Sequence, residues 1–354
     1  MARAGSSPPR AARAKRRAAR ARARQRHATG AIKVRSAVLL LAVTMVATAC
    51  TTPPPRVTPG VGTTATFLLA NPSGIVGLDE QCRPLGSIVK LPDQSAPATP
   101  SLHPDGRSVV FALTQVPDPK TGFGSDIFTV NLDGTGLRML VPHEGENVFY
   151  ASPKYDPTGT VLYFHRRAAL IVNNQYQGNE DTIERLDLKT GKRDRLLKDA
   201  ADPALSPDGR TLVFVRVVNG QIENFWTANA DGSDARPFFR TKDTFWYIQA
   251  PRFSPSGTEI VFSAAGHSTS HGSAGGRLAH LGVPSELYLA PADGTGLRSI
   301  GQTGDDVVPA WSPDGKRIAY VGTGAFFTLT VATQDTQTCA QGQDFFFGDL
   351  LWLR

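Results

Sequence analysis

The sequence predicts an all-β fold, and three features of its 354 residues support that prediction. A pattern of about 14 residues recurs five times at a spacing of 48 to 58 residues. Each copy joins a turn to a stretch in which apolar residues alternate with others, the period-two pattern of a half-buried strand. A second turn follows in most copies. A period near 50 with four short strands per unit predicts a β-propeller made of four-stranded antiparallel blades.

The first turn of each copy follows a proline and contains a glycine. Proline presets φ for the turn, and glycine takes the positive φ that closes it. The copies read PSLHPDGRSVVFAL, PKYDPTGTVLYFHR, PALSPDGRTLVFVR, PRFSPSGTEIVFSA and PAWSPDGKRIAYVG, with Gly106, Gly159, Gly209, Gly257 and Gly315 at equivalent positions. The second turns are Asp133-Gly134, Thr190-Gly191, Asp231-Gly232 and Asp293-Gly294. Strands a and b therefore flank the first turn, and strands c and d flank the second.

A sixth blade is divided between the two ends of the repeat region. Residues 66–91 supply strands b, c and d but no strand a, and the chain ends with FFFGDLLWLR. We expect residues 350–353 to pair with residues 67–70 as the missing strand. The prediction is one six-bladed ring over residues 65–354, closed by its N- and C-terminal strands, with no open edge left to aggregate.

Residues 1–49 have the features of an export signal. Residues 1–35 are basic, and residues 36–49 form an apolar stretch that is too short to span a bilayer comfortably. Cys50 follows the small residues of Ala47-Thr48-Ala49, as in a lipoprotein signal, and residues 50–64 form a Pro-rich tether. We predict an exported lipoprotein held on the outer face of the cytoplasmic membrane through lipid on Cys50. Cleavage after Ala49 to give a soluble secreted protein, or a retained anchor, are the alternatives.

The charge distribution argues against a nucleic-acid partner. Residues 1–35 contain 12 of the 38 Lys and Arg residues and no acid. From Cys50 onward the sequence has 26 basic and 31 acidic residues. The basic charge is thus confined to one terminal segment, whereas a nucleic-acid-binding domain carries it on the fold.

The repeat resembles that of the TolB-type β-propeller family, whose hallmark is P-x-W-S-P-D-G-K-x-I-x-Y. Residues 309–320 match this pattern almost letter for letter. Trp311 is replaced by Leu102, Tyr155, Leu205 and Phe253 in the other copies. The resemblance covers about 230 residues and implies a six-bladed propeller in the cell envelope, here a lipoprotein of the actinobacterial type. Propellers have many functions, so the resemblance alone assigns none.

The sequence offers one weak set of candidate metal ligands. His267, His271 and His280 lie in a Gly- and Ser-rich insert, residues 263–285. Some propeller lyases that degrade pectic fragments hold a metal through histidines, which makes a metal-assisted, lyase-like carbohydrate-active enzyme the alternative function. The insert has no helical pattern to align these imidazoles. We therefore expect no catalytic activity, cofactor or metal.

Recognition is expected on the face with the variable connections. The a–b and c–d turns are short and alike, whereas the b–c and d–a connections differ in length and composition. We call the face with the b–c and d–a connections the irregular-loop face, and the face with the a–b and c–d turns the regular-turn face. The candidate binding residues on the irregular-loop face are Phe149, Tyr150, Phe245, Trp246, Tyr247, Asp305 and Asp306. Packing between blades is the alternative role for these aromatics.

These observations predict a monomeric, non-catalytic envelope scaffold. Its partner would be a protein, a peptide or a glycan. Once Cys50 is used for lipidation, two cysteines remain in an oxidising compartment, Cys82 and Cys339. Ring closure makes their blades neighbours, so we consider a disulfide between them as a hypothesis.

Overall fold

The structure, a computed structural model, describes residues 56–268 and 284–354. The regular secondary structure of these residues consists of strands, apart from a short helix α1 (Val61–Thr64) and a single 3-10 turn at Gln343–Phe345. The first eleven strands are β1 (Phe67–Asn71), β2 (Gly74–Leu78), β3 (Pro84–Ser87), β4 (Ala96–Leu102), β5 (Ser108–Thr114), β6 (Gly124–Asn131), β7 (Arg138–Val141), β8 (Val148–Tyr155), β9 (Val161–Val172), β10 (Gln175–Asp187) and β11 (Arg193–Lys198). The others are β12 (Ala200–Leu205), β13 (Thr211–Val218), β14 (Gln221–Asn229), β15 (Arg236–Pro237), β16 (Tyr247–Phe253), β17 (Glu259–Ala265), β18 (Ser285–Pro291), β19 (Arg298–Gln302), β20 (Ala310–Trp311), β21 (Arg317–Gly322), β22 (Ala325–Thr330), β23 (Thr336–Gln341) and β24 (Asp349–Trp352).

The strands form antiparallel four-stranded sheets in a propeller-like arrangement. Strands β12–β15, β16–β19 and β20–β23 make three sheets in chain order, and β24, β1, β2 and β3 make another. Strands β4–β11 form an eight-stranded sheet of two antiparallel halves, joined by a short parallel pairing of β6 with β8. The first strand of a sheet contacts the first strand of the next along β24, β4, β8, β12 and β16. These first strands therefore lie around a common axis.

The predicted turns are formed by the expected residues. The glycines of the five a–b turns have φ between 69° and 74°, a region that L-residues with a Cβ adopt at a cost. The carboxylate of Asp105 accepts a hydrogen bond from the Arg107 N–H at 2.8 Å, and Asp314 accepts one from Lys316 at 3.0 Å. Local sequence thus determines the regular-turn face.

The two ends of the described chain pair with each other. Strand β24 lies antiparallel to β1, with Phe67 opposite Trp352 and Ala70 opposite Asp349. The paired segment begins one residue earlier than the predicted 350–353. The Phe67 and Trp352 rings pack 4.7 Å apart. Cys82 and Cys339 form a disulfide beside this seam, with their Cα atoms 5.9 Å apart.

Part of the predicted tether is packed on the propeller. Val57 bridges to Ser87, and the Gly60 N–H donates to the Asp133 carbonyl at 3.2 Å. Val61, in α1, is 4% exposed and belongs to the same apolar cluster as Phe111. Residues 57–61 of the predicted Pro-rich tether thus pack against the propeller, because Val61 supplies apolar surface that is stabilised by burial.

The first strands carry a repeated backbone irregularity that links them. Thr99, Ser152, Asp202 and Ala250 each precede a proline, have φ between 45° and 52°, and lie where the pairing register shifts. Their N–H groups therefore point away from the sheet ladder. Three of these N–H groups donate hydrogen bonds to a side chain of a neighbouring first strand. The Thr99 N–H donates to the Asp349 carboxylate at 2.5 Å, the Ser152 N–H to the Thr99 hydroxyl at 2.9 Å, and the Ala250 N–H to the Asp202 carboxylate at 2.7 Å. This ladder connects the sheets close to the axis.

Candidate functional site

The most prominent feature of the irregular-loop face is a β-hairpin that extends beyond its sheet. Strands β9 and β10 contain 12 and 13 residues, whereas no other described strand exceeds nine. Asn173 and Asn174 have positive φ values, 52° and 58°, which is the geometry of a two-residue hairpin turn. Residues 167–181, one of the variable b–c connections of the irregular-loop face, are thus mostly strand.

The tip of this hairpin exposes apolar side chains. Leu170, Ile171, Val172 and Tyr176 are 44%, 52%, 55% and 61% exposed. Strand β8 pairs with β9 no further than Ala168, and β11 pairs with β10 only from Thr182. Among the described residues, the outer edges of the tip therefore have no neighbouring strand. We call residues 169–180 the hairpin tip.

Charged side chains fix the base of the hairpin. Arg167 donates to the Asp181 carboxylate at 2.7 Å, and His165 Nε2 lies 2.8 Å from the same oxygen. Arg166 donates to Glu180 at 2.9 Å. Burial opposes ionisation of Asp181, but the hydrogen bonds from His165 and Arg167 outweigh it and lower the Asp181 pKa. These hydrogen bonds and ion pairs hold the base of the hairpin from which the tip extends.

Two of the predicted binding residues belong to the core. Tyr150 and Phe245 are 1% and 2% exposed. Phe245 stacks on His267 with centroids 5.0 Å apart and contacts Phe262. The prediction that they anchor a partner is wrong, because the ring of Tyr150, in β8, and that of Phe245, just before β16, are buried in apolar clusters. Their role is the packing alternative.

The Tyr150 hydroxyl is part of a buried polar network. It donates to the Glu144 carboxylate and accepts from Arg193 at 2.8 Å. Burial and the Glu144 carboxylate raise the Tyr150 pKa above its usual value. Arg166 and Glu184, whose side chains are 7% and 2% exposed, continue the network. The network ties the connection before β8 to strands β9, β10 and β11.

The other predicted residues remain at the surface to different degrees. Trp246 is 48% exposed, and Asp305 is exposed. Phe149 and Tyr247 are half-buried; the Phe149 ring packs edge-on against Phe123 at 5.3 Å. Tyr247 donates to Gln249 at 2.7 Å, and burial, followed by nearby carboxylates, raises the Tyr247 pKa to about 12. Trp246 is the one aromatic of the predicted set that is more than one-third exposed.

Asp306, the last of the predicted set, is half-buried and accepts a hydrogen bond from the Ser285 hydroxyl at 2.5 Å. This bond joins the connection before β20 to the start of β18. Asp305, its neighbour, stays exposed. The structure thus brings Trp246 and Asp305 to the surface but gives Asp306 a role within the fold.

Histidine–aspartate pairs recur in the described residues. The pairs and their N···O distances are His103–Asp105 at 2.9 Å, His143–Asp126 at 2.7 Å, His165–Asp181 at 2.8 Å and His267–Asp243 at 2.7 Å. His271 and His280 lie outside the described residues. Within the part of the chain that the structure describes, no three His, Cys, Asp or Glu side chains are grouped so that they could hold a metal ion.

A cavity of about 750 Å³ opens beside His267. Asp243, Glu286 and Tyr288 also line it. Burial, followed by the Glu286 carboxylate, raises the Tyr288 pKa to about 12. Ser299 donates to Glu286 at 2.5 Å, and Thr241 donates to Asp243. The two carboxylates that line this cavity therefore accept hydrogen bonds from neighbouring hydroxyl groups.

Four charged side chains from four different first strands face one another near the axis. We call Lys154, Asp202, Arg252 and Asp349 the axial cluster. Arg252 lies 3.6 Å from Asp202. Burial, followed by repulsion from Arg252, lowers the Lys154 pKa to about 7, and burial raises the Asp349 pKa. The Lys154 side chain is half-buried.

The axial cluster was not predicted, although the sequence carries a signal for it. Lys154 and Arg252 directly follow the proline that opens the repeat, a position occupied by Ser101, Ala204 and Ala310 in the other copies. A long cation at a position that is otherwise small is a departure from the repeat. The shared residues of the repeat predict the fold, whereas these two departures from it mark the axial cluster.

The chain has relatives among known proteins. No protein-family model matches it. The uncharacterized peptidase YuxL of Bacillus subtilis is 29% identical over 124 residues, which are 33% of this chain and 18% of that protein. The uncharacterized protein Atu1656 of Agrobacterium fabrum is 25% identical over 258 residues, 63% of this chain and 83% of the relative.

A comparison of folds is more informative. TolB from Acinetobacter baumannii superimposes with a TM-score of 0.57 at 15% identity, over 81% of this chain and 65% of TolB. The fold is that of a TolB-like propeller. The chain spans less than two thirds of the TolB chain and less than a fifth of YuxL. No helix of the described residues has the length and apolarity needed to cross a membrane.

Proposed function

We propose that this protein is a non-catalytic scaffold of the cell envelope that binds a protein partner on its irregular-loop face. In this proposal the six four-stranded units close into one six-bladed ring, with the pairing of β24 and β1 as the seam. The ring supplies a rigid support for the connections on one face. The TolB-like fold is compatible with this function and with others.

The hairpin tip is the observation that carries the proposal. Its aliphatic side chains are about half exposed, and both strand edges offer backbone N–H and C=O groups without a neighbouring strand. Such an edge accepts an extended segment of another protein by strand addition. Residues 168–179 contain no Lys, Arg, Asp, Glu or Pro, the residues that normally protect an exposed edge from pairing. We therefore favour a protein segment over a glycan.

A double substitution at the tip tests this function. Ile171→Asp with Val172→Asp places charge on the edge and should weaken partner binding by about 2 kcal/mol or more without unfolding the protein. Val218→Asp, at the exposed end of the shorter β13–β14 hairpin, is the matched control. Native electrophoresis of gently solubilised envelopes should show a complex for the wild type and the control, and a monomer for the double variant. The same large species for all three proteins would contradict the proposal.

We further propose that the domain layout is an export signal over residues 1–49 followed by an anchored propeller. Lipid on Cys50 would hold it outside the cytoplasmic membrane, since two acyl chains give stable anchoring. Radiolabelled palmitate should enter the wild type and not Cys50→Ala, and only the variant should be released into the medium. Equal release of both proteins would refute the anchor and favour soluble secretion.

A further inference from the structure

The cavity beside His267 opens where an outer strand of the propeller is short. Strand β15 contains two residues, whereas β3, β7, β11, β19 and β23 contain four to six. The chain leaves the sheet after Pro237, and Thr241 and Asp243 of the connection line the cavity together with residues of β18 and β19. Its volume of about 750 Å³ is typical of a site for a small molecule.

The lining of the cavity is acidic. Among the described residues that line it, Asp243 and Glu286 carry carboxylates and none is Lys or Arg. Burial opposes ionisation of Asp243, but hydrogen bonds from Thr241 and His267 outweigh it and lower the Asp243 pKa. An anionic ligand is therefore repelled. Because these two bonds occupy both Asp243 oxygens, Asp243 is not free to pair with a cationic ligand either.

Other polar side chains of the lining have hydrogen-bonding capacity to spare. Within the part of the chain that the structure describes, the Gln302 amide has no hydrogen-bond partner, and Gln302 is exposed. His267 uses one ring nitrogen, Nε2, and Glu286 one oxygen, Oε2, in the bonds described above. Tyr288 adds a hydroxyl. Donors and acceptors that stand side by side match a ligand with several hydroxyl groups, since each hydroxyl both donates and accepts.

An exposed aromatic ring lies at the edge of the cavity. Gly266 lines the cavity, and it is so close to Trp246 that a Cβ there would lie 2.5 Å from the Trp246 Cγ. The indole therefore lies directly against Gly266, and Trp246 is nevertheless 48% exposed. An indole presents a flat apolar face. The C–H face of a sugar ring packs on such a surface, while the hydroxyls at its rim reach polar groups.

We propose that the cavity beside His267 binds an uncharged saccharide unit. In this site Glu286, Tyr288 and Gln302 hydrogen-bond the hydroxyls, and Trp246 packs against the ring. The acidic lining discriminates against uronic acids. The cavity is separate from the hairpin tip, so the proposal does not depend on the proposed protein partner.

Saturation-transfer NMR with the full-length chain tests the site with two matched series of sugars. One series is glucose, glucuronate and glucosamine, and the other is galactose, galacturonate and galactosamine. Within a series the ring is the same and the charge is zero, negative or positive. We expect saturable binding of the neutral sugar in at least one series and no binding of its uronate. Tighter binding of the uronate or of the amino sugar in both series, or no saturable binding of either neutral sugar, would overturn the proposal.

Substitutions locate the binding. Tyr288→Phe and Gln302→Ala each remove one hydrogen-bonding group and should weaken binding of the neutral sugar about threefold or more. Trp246→Ala should weaken it by a similar factor. The matched control is Gln337→Ala, which removes an exposed glutamine of β23 and should leave binding unchanged. The thermal transition of each variant reports whether it folds. Wild-type affinity in folded Tyr288→Phe and Gln302→Ala would contradict the assigned site.

Discussion

Two residues adjacent in sequence, Phe245 and Trp246, show how burial separates packing from recognition. Phe245 is 2% exposed and contacts Phe262, Tyr288 and His267. Trp246 is 48% exposed. An aromatic-rich connection indicates that large rings are present, but the sequence does not show which way each one turns. That direction depends on the neighbouring sheet, which is formed by residues distant in the chain.

Substituting each ring by alanine should therefore change the free energy of unfolding by very different amounts. Phe245→Ala leaves a cavity between sheets and should lower the free energy of unfolding by about 3–5 kcal/mol. Trp246→Ala removes an exposed ring and should change it by less than about 1 kcal/mol. Urea unfolding followed by circular dichroism measures both. Equal destabilisation by the two substitutions would contradict the assigned burial.

Because the Lys154 pKa is lower in the folded chain than in the unfolded chain, the free energy of unfolding should rise with pH. Burial, followed by repulsion from Arg252, lowers its pKa from 10.5 to about 7. Between these values the unfolded chain holds a proton that the folded chain has released, so stability rises with pH across that window. Lys154→Met should be more stable than the wild type near neutral pH, and the difference should shrink toward pH 10. Urea unfolding at several pH values tests this; a difference that is constant with pH would contradict it.

At the scale of elements, the repeat was predictable and the long hairpin was not. The a–b turns follow from Pro, Asp and Gly at fixed positions, and the strands follow from alternation after each turn. Residues 167–181 contain one Gly-containing turn dipeptide, Gly178-Asn179, but it lies within β10, and Asn173-Asn174 forms the hairpin turn instead. Strands β9 and β10 pair with each other up to Val172 and Gln175, beyond the point where β8 and β11 end.

Shortening the hairpin should separate its binding role from stability. Replacing residues 169–179 of the hairpin tip by an Asn-Gly turn leaves Ala168 opposite Glu180 and keeps the ion pairs at the base in place. The deleted side chains are largely exposed, so the melting temperature should change by no more than a few degrees. Partner binding should be lost. A fall in melting temperature as large as that of Phe245→Ala would show that the tip is structural instead.

At the scale of the whole molecule, the ends of the propeller are held together by a strand and a disulfide. The seam was predictable to within one residue, because a blade without strand a and a final strand with no blade of its own complement each other. The repeat marks Lys154 and Arg252 as departures, but their meeting with Asp202 and Asp349 could not be predicted from it, since that depends on four first strands meeting at the axis. The cysteine pair joins residues 257 apart in sequence.

Both parts of the seam should contribute to stability. Deleting residues 349–354 removes β24 and exposes the edge of β1, so the melting temperature should fall sharply and aggregation should increase. Cys82→Ala with Cys339→Ala should cost about 3 kcal/mol, mainly by freeing the unfolded chain. Differential scanning calorimetry measures both variants. An unchanged transition for the truncated protein would contradict closure by the terminal strands.

The most direct test of the central claim is to ask which face of the propeller contacts a partner in the envelope. A photo-reactive benzoylphenylalanine is placed at Ile171 in the hairpin tip or, as a control, at Asp208 on the regular-turn face, and intact cells are irradiated. We expect one discrete cross-linked product from position 171, absent from position 208 and abolished when Leu170→Asp is added. Identical products from both positions, or no product from position 171 in correctly localised protein, would contradict binding on the irregular-loop face.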